Sequence, residues 1–134
     1  LKPVAGSGAG AVREPWEFST TWALQGRLAI YFPHAAHGAP VKTGVSAWGA
    51  GDLAFIGLPG ETVSEYRQIF RNRSPFRRTI LVSLANDFVG YLPTDEILGQ
   101  GAYEALLSPL KPIEGALTAK GEAALGSLHA KFGG

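Results

Sequence analysis

Thr79 to Ala85 reads TILVSLA, seven residues without a charge and rich in strand-forming Thr, Ile and Val. A continuous apolar run of this length is expected to be a strand buried on both faces, the pattern of a parallel sheet enclosed between layers. Parallel neighbours need a crossover between them, usually a helix, and the residues just upstream supply one. Val63, Tyr66, Ile69 and Phe70 fall at helical spacing, with Glu65, Arg67, Gln68 and Arg71 off that stripe. Ser74-Pro75 stops the helix, because a residue before proline is pushed out of helical geometry. Asp52 to Leu58, before the helix, is a strand candidate, so strand, helix and buried strand make a βαβ-like unit.

The flanks extend this unit in both directions. In WALQGRLAIYF, Trp22 to Phe32, Leu28, Ile30 and Phe32 alternate against Arg27, Ala29 and Tyr31, as in a strand. After the loop HAAHGAP, a second strand near Val41 to Trp48 and a third over Asp52 to Leu58 flank a Gly49-Ala50-Gly51 turn, predicting an antiparallel meander. The segment Pro112 to Phe132 places Ile113, Leu117, Ala124, Leu128 and Phe132 on one face. Gly115, Gly121 and Gly126 make it a poor helix in isolation, so it needs a surface to pack on. Residues 1–15 form a Gly-rich loop or linker, and residues 16–134 are expected to belong to one incomplete domain of mixed α/β class. The GSGAG stretch has no Lys-Ser or Lys-Thr after it, so it is not a phosphate-binding P-loop.

Composition narrows the chemistry. With no cysteine, a disulfide framework, a thiolate metal site and a Cys nucleophile are all excluded. A net charge of +1 provides no field for nucleic acid, and no aromatic stacking platform accompanies the arginines as RNA would require. No run approaches the roughly 20 apolar residues of a membrane helix, and no Gly-x-Ser-x-Gly nucleophile elbow is present. The chain also lacks methionine, even at position 1, which leads to the expectation that it is a fragment of a longer product.

Two segments stand out as sites. Gly57-Leu58-Pro59-Gly60-Glu61 turns the chain sharply at the carboxyl end of a strand, where α/β proteins gather ligand and catalytic groups. Glu61 is either a carboxylate presented there or a first-turn acidic residue that stabilises the helix. Asn86-Asp87-Phe88-Val89-Gly90-Tyr91-Leu92-Pro93-Thr94 follows the second buried strand. If the two strands are parallel neighbours, Glu61 and the Asn86–Tyr91 segment approach each other. Tyr91 has its own simpler reading as an aromatic packed under a loop with its hydroxyl bonded.

The order GDLAFIGLPGE, helix, TILVSLANDFVGYLPT and GAYEALL resembles the later part of the catalytic domain of the neutral/alkaline ceramidases, best over residues Gly51 to Leu107. That family has a strand ending in Gly-Glu, an Asn-x-aromatic-x-x-Tyr-x-x-Thr segment, and a Tyr-Glu motif twelve residues after the tyrosine. Tyr91 and Tyr103 stand twelve apart here, while the thirty residues from Glu61 to Tyr91 are several fewer than in the family. The resemblance implies part of a layered α/β/β/α domain. It implies Glu61 and Tyr91 as two of four ligands of a catalytic zinc, and Tyr103 as a donor to the substrate carbonyl or its oxyanion. The implied reaction is hydrolysis of a lipid amide such as ceramide, completed by two histidines from an earlier part of the domain that this chain lacks. A secreted or membrane-associated location is likewise implied by resemblance alone.

His34-Ala35-Ala36-His37 has ligand-like spacing but sits in a Gly/Pro loop without an acidic partner, and a solvated loop accounts for it. His129 is expected at the surface. Arg67, Arg71, Arg73, Arg77 and Arg78 crowd the end of the first helix. They read as cations suited to a helix C-terminus, or as a contact for anionic membrane surfaces. Beside the hydrolase expectation stands a non-catalytic one: a structural module whose uncovered sheet edges and apolar faces drive homo-oligomerisation.

Overall fold

A computed structural model describes residues 42–85, 87–108 and 112–132. The linker over residues 1–15, the expected strand Trp22 to Phe32, the HAAHGAP loop with His34 and His37, and Val41 lie outside the described residues. The two strands around Gly51 form a hairpin: β1 (Ser46–Ala50) pairs antiparallel with β2 (Leu53–Gly57), from Ser46 opposite Gly57 to Ala50 opposite Leu53. The turn is Gly51-Asp52, later than the expected Gly49-Ala50-Gly51. Gly51, at φ 55°, takes the first turn position, which favours glycine in two-residue hairpins, while Gly49 stays in the ladder opposite Ala54.

Beyond the hairpin, β3 (Glu61–Thr62) leads into α1 (Glu65–Arg73), which crosses over to β4 (Arg78–Val82), parallel to β2 with Ala54 opposite Thr79. The sheet order is β1-β2-β4, a small mixed sheet containing the expected βαβ crossover. α1 ends at Arg73, and Ser74 is extended ahead of Pro75. β5 (Tyr91–Leu92), α2 (Asp95–Gln100), α3 (Tyr103–Leu106) and the long α4 (Glu114–Phe132) complete the order. The chain is therefore of mixed α/β class with a small mixed sheet and a C-terminal helix.

The core lies on one face of the sheet. Alternate residues of the second strand and its extension, Ala54, Ile56 and Leu58, are fully buried against Tyr66 and Phe70 of α1 and Leu117 and Leu125 of α4. Each large side chain buried there contributes about 1.5–3 kcal/mol of transfer free energy before ordering costs. α4 meets this core along Leu117, Thr118, Gly121 and Leu125, with Ile113 and Leu128 of the expected stripe packed against it, while Ala124 is half-buried and Phe132, at the helix end, is exposed. A Cβ on Gly121 would overlap the Phe70 Cε1 and lie 2.6 Å from its Cζ, so only glycine lets the two helices close at this point.

The expectation that TILVSLA is buried on both faces fails. Thr79 faces the core, but Ile80 is 46% exposed. The register places Trp48, Phe55 and Ile80 in one row across the other face, with the Trp48 and Phe55 rings stacked 5.7 Å apart. Among the described residues both packing helices, α1 and α4, lie on the opposite face, so the apolar character of the run outlasts its burial.

Candidate functional site

Just past β2 the main chain is gripped from two sides. On one side Leu58 N–H donates to Val82 C=O at 3.0 Å and Leu84 N–H to Gly60 C=O at 3.0 Å. On the other, Val89 N–H donates to Pro59 C=O at 2.9 Å and Glu61 N–H to Gly90 C=O at 3.0 Å. Residues 58–62 thus run between the turn that ends β4 and the strand that begins at Tyr91. Gly60 is required for this approach, since a Cβ there would strike the Gly90 carbonyl and sit 3.0 Å from Leu92 Cγ.

That pairing places the two segments side by side. β3 and β5 are parallel, with Glu61 opposite Tyr91 and Thr62 opposite Leu92. Glu61 is therefore a strand residue. The first-turn acidic position of α1 belongs to Glu65, which removes the helix-stabilising reading of Glu61. The Glu61 carboxylate and the Tyr91 hydroxyl are near enough to interact as acceptor and donor. That interaction is the largest reason Tyr91 is pushed up to about 12, with burial next and then the negative fields of Glu61, Tyr103 and Glu104. A carboxylate and a phenol stand side by side at a strand end.

Tyr103 joins them from α3. Its ring stands edge-on to that of Tyr91, centroids 5.8 Å apart and planes at 76°, while 56% of the residue remains exposed. The intervening chain is held firmly. Buried Tyr66 donates its hydroxyl to Pro93 C=O at 3.3 Å, and burial, then the charges of Glu114 and Asp95, raises its ionisation well above the usual phenol range. Thr94 caps α2 by accepting from Ile97 N–H, and the Glu114 carboxylate accepts from Asp95 N–H at 2.8 Å, tying α2 to α4. α2 ends at Gly101, and α3 starts two residues later with Tyr103 in its first turn.

All three residues singled out in the sequence, Glu61, Tyr91 and Tyr103, are thus neighbours; Asn86 lies outside the described residues. Chemically the arrangement offers two adjacent oxygen donors and an outward-facing hydroxyl. Glu61 and Tyr91 suit two positions around a zinc ion, but no group of three His, Cys, Asp or Glu side chains converges among the described residues. His129 sets its ring edge-on to Phe76 at 5.1 Å.

The arginine cluster is partly used by the fold. Arg73 bridges α1 to α4 through Glu122 at 2.8 Å, and Arg77 lies 3.8 Å from Asp52. No described helix is long and apolar enough to cross a membrane. Sequence reasoning missed Gly60's contact with Gly90, the contact of Ser83 with Thr62, and the proximity of Glu104. Only Gly60 carried a signal, the Pro-Gly dipeptide; the others join residues far apart in the chain. No family model, no curated protein and no solved structure matches the chain.

Proposed function

We propose that this chain carries part of the active site of a zinc-dependent lipid amide hydrolase of the neutral ceramidase kind, cleaving ceramide to sphingosine and a fatty acid. One observation carries the reading. Glu61 and Tyr91 are register partners on adjacent parallel strands, with the Tyr103 ring 5.8 Å from that of Tyr91. In this reading Glu61 and Tyr91 are two zinc ligands, and two imidazoles from an earlier part of the domain supply the rest. Bound there, zinc would polarise the amide carbonyl and lower the pKa of a water molecule.

The chain's own groups then have distinct tasks. Glu61, held by its main-chain bond to Gly90, presents an anionic oxygen at a fixed place. Tyr91 would offer its phenol oxygen beside Glu61 as the second ligand. Tyr103, exposed and oriented by Tyr91, is a hydroxyl donor for the oxyanion that forms at the substrate carbonyl. With two donors in place the chain alone is expected to be inactive.

The test is hydrolysis of an N-acyl sphingoid base by a longer product that contains the histidines, compared with its Glu61→Ala and Tyr91→Phe variants. Both variants are expected to lose activity while keeping their circular dichroism. Parental rates in both would overturn the assignment.

A second reading, a structural module that self-associates, is favoured by the row of exposed Trp48 and Ile80 with partly exposed Phe55 between them, which no helix covers among the described residues. It predicts a defined, chelator-insensitive oligomer that Trp48→Ser together with Ile80→Ser dissociates. A monodisperse monomer in sedimentation equilibrium would refute it.

A further inference from the structure

Successive residues of a strand direct their N–H groups to opposite sides. The Glu61 N–H goes to Gly90, so that of Thr62 points towards the turn that ends β4. There it finds a side chain. Ser83 Oγ accepts from Thr62 N–H at 3.4 Å, and the Ser83 and Thr62 hydroxyls are in direct hydrogen-bond contact. The following residue, Leu84, sits in the left-handed region at φ 56°, a conformation unfavourable to any residue with a Cβ. It persists because Leu84 N–H is bonded to Gly60 C=O at 3.0 Å and Ala85 N–H to Leu58 C=O at 2.9 Å. The turn therefore holds residues 60 and 62, one on each side of Glu61.

The opposite edge is weak by itself, since β3 and β5 pair over only two residues and a ladder that short is not stable alone. We propose that Ser83 is a positioning residue for the Glu61–Tyr91 pair, its hydroxyl setting the strand on which Glu61 meets the Tyr91 phenol. The proposal rests on reading that pair as the functional unit. Ser83 acts through Thr62, and it is exposed, so replacing it leaves the core intact.

Amide exchange and ring contacts measured by NMR on the metal-free chain test this, using Ser83→Ala and Ser83→Thr. In Ser83→Ala the Thr62 amide loses protection. The Glu61 amide, whose own acceptor is the untouched Gly90 carbonyl, is expected to exchange about 5–10 times faster, the effect of losing one ordinary hydrogen bond. The contact between the Tyr91 ring and the Glu61 side chain weakens with it. Ser83→Thr, which keeps the hydroxyl, restores both, and the Ile56 amide in β2 stays at the parental rate throughout. A change at Thr62 alone would overturn the proposal, because the hydroxyl would then be a local partner only. Equal acceleration at Ile56 would overturn it too, since the serine would be serving the fold at large. Parental activity of the Glu61→Ala and Tyr91→Phe variants of the longer product would overturn the hydrolase reading and leave this result standing.

Discussion

Two of the three glycines of α4, Gly121 and Gly126, lie in different surroundings, and the same substitution should act on them differently. Gly126 is exposed, and a Cβ there would meet nothing within 4 Å. Gly126→Ala should therefore gain the ordinary helix-interior difference of about 1 kcal/mol, raising the melting temperature by roughly 4 °C. Gly121 is buried, and its added Cβ would overlap the Phe70 ring. Phe70 is 1% exposed and stacked on Tyr66 at 6.3 Å, so it has no room to swing aside. Overpacking of this kind costs about 1–3 kcal/mol, which cancels or exceeds the propensity gain. The measured quantity is the difference in urea midpoint between the two variants, converted with a common slope. Gly126→Ala is expected to be more stable than Gly121→Ala by about 1–3 kcal/mol, the propensity term being common to both. If Gly121→Ala stabilises as much as Gly126→Ala, the helix does not dock with Gly121 on Phe70, and the reasoning is refuted.

The remaining predictions probe the site and the two sheet faces. Tyr91, raised from an ordinary 10.0 to about 12, contributes stability that is complete below pH 10 and is lost as pH climbs through about 12. Ultraviolet titration of the chain's four tyrosines should show its late ionisation, and Glu61→Ala should bring that step back towards 10, an identical curve refuting the interaction. Gly60→Ala is expected to cost about 1–3 kcal/mol and to remove the β3–β5 pairing, read as loss of tyrosine near-ultraviolet dichroism. A parental spectrum would mean the Gly90 carbonyl can yield. Ile56→Ala should destabilise by about 2–5 kcal/mol, whereas Ile80→Ala should cost about 1 kcal/mol or less because Ile56 is fully buried and Ile80 is exposed. Equal denaturation shifts would show that face to be covered.

Much of this architecture was legible from periodicity and punctuation. The strand candidate Asp52 to Leu58 beside its glycine turn, the stripe of Val63, Tyr66, Ile69 and Phe70, and the stop at Ser74-Pro75 are local properties, and they predict the strand–helix–strand crossover without reference to the rest of the chain. That crossover makes the strands parallel neighbours, which brings Glu61 towards the segment containing Tyr91. The nearness of Tyr103 was implied only by resemblance, because nothing in its local sequence says where a four-residue helix will lie.

Other features were decided in three dimensions. An apolar run states that a strand can be buried, not that layers exist on both sides of it, so Ile80 is exposed despite its neighbours. The close approach of α4 to α1 at Gly121 depends on the Phe70 ring of another helix, a contact no helical wheel contains. The grip of Ser83 and Gly90 on the residues around Glu61 joins groups more than twenty positions apart. Such contacts exist only once the backbone has already been brought together. Sequence alone determined the hairpin strands, the crossover helix and the terminal helix, because those preferences act within a few residues, whereas the short β3, β5, α2 and α3 carry too little local signal. Tertiary structure decided which faces are covered and which side chains meet, because those depend on what arrives from elsewhere in the chain.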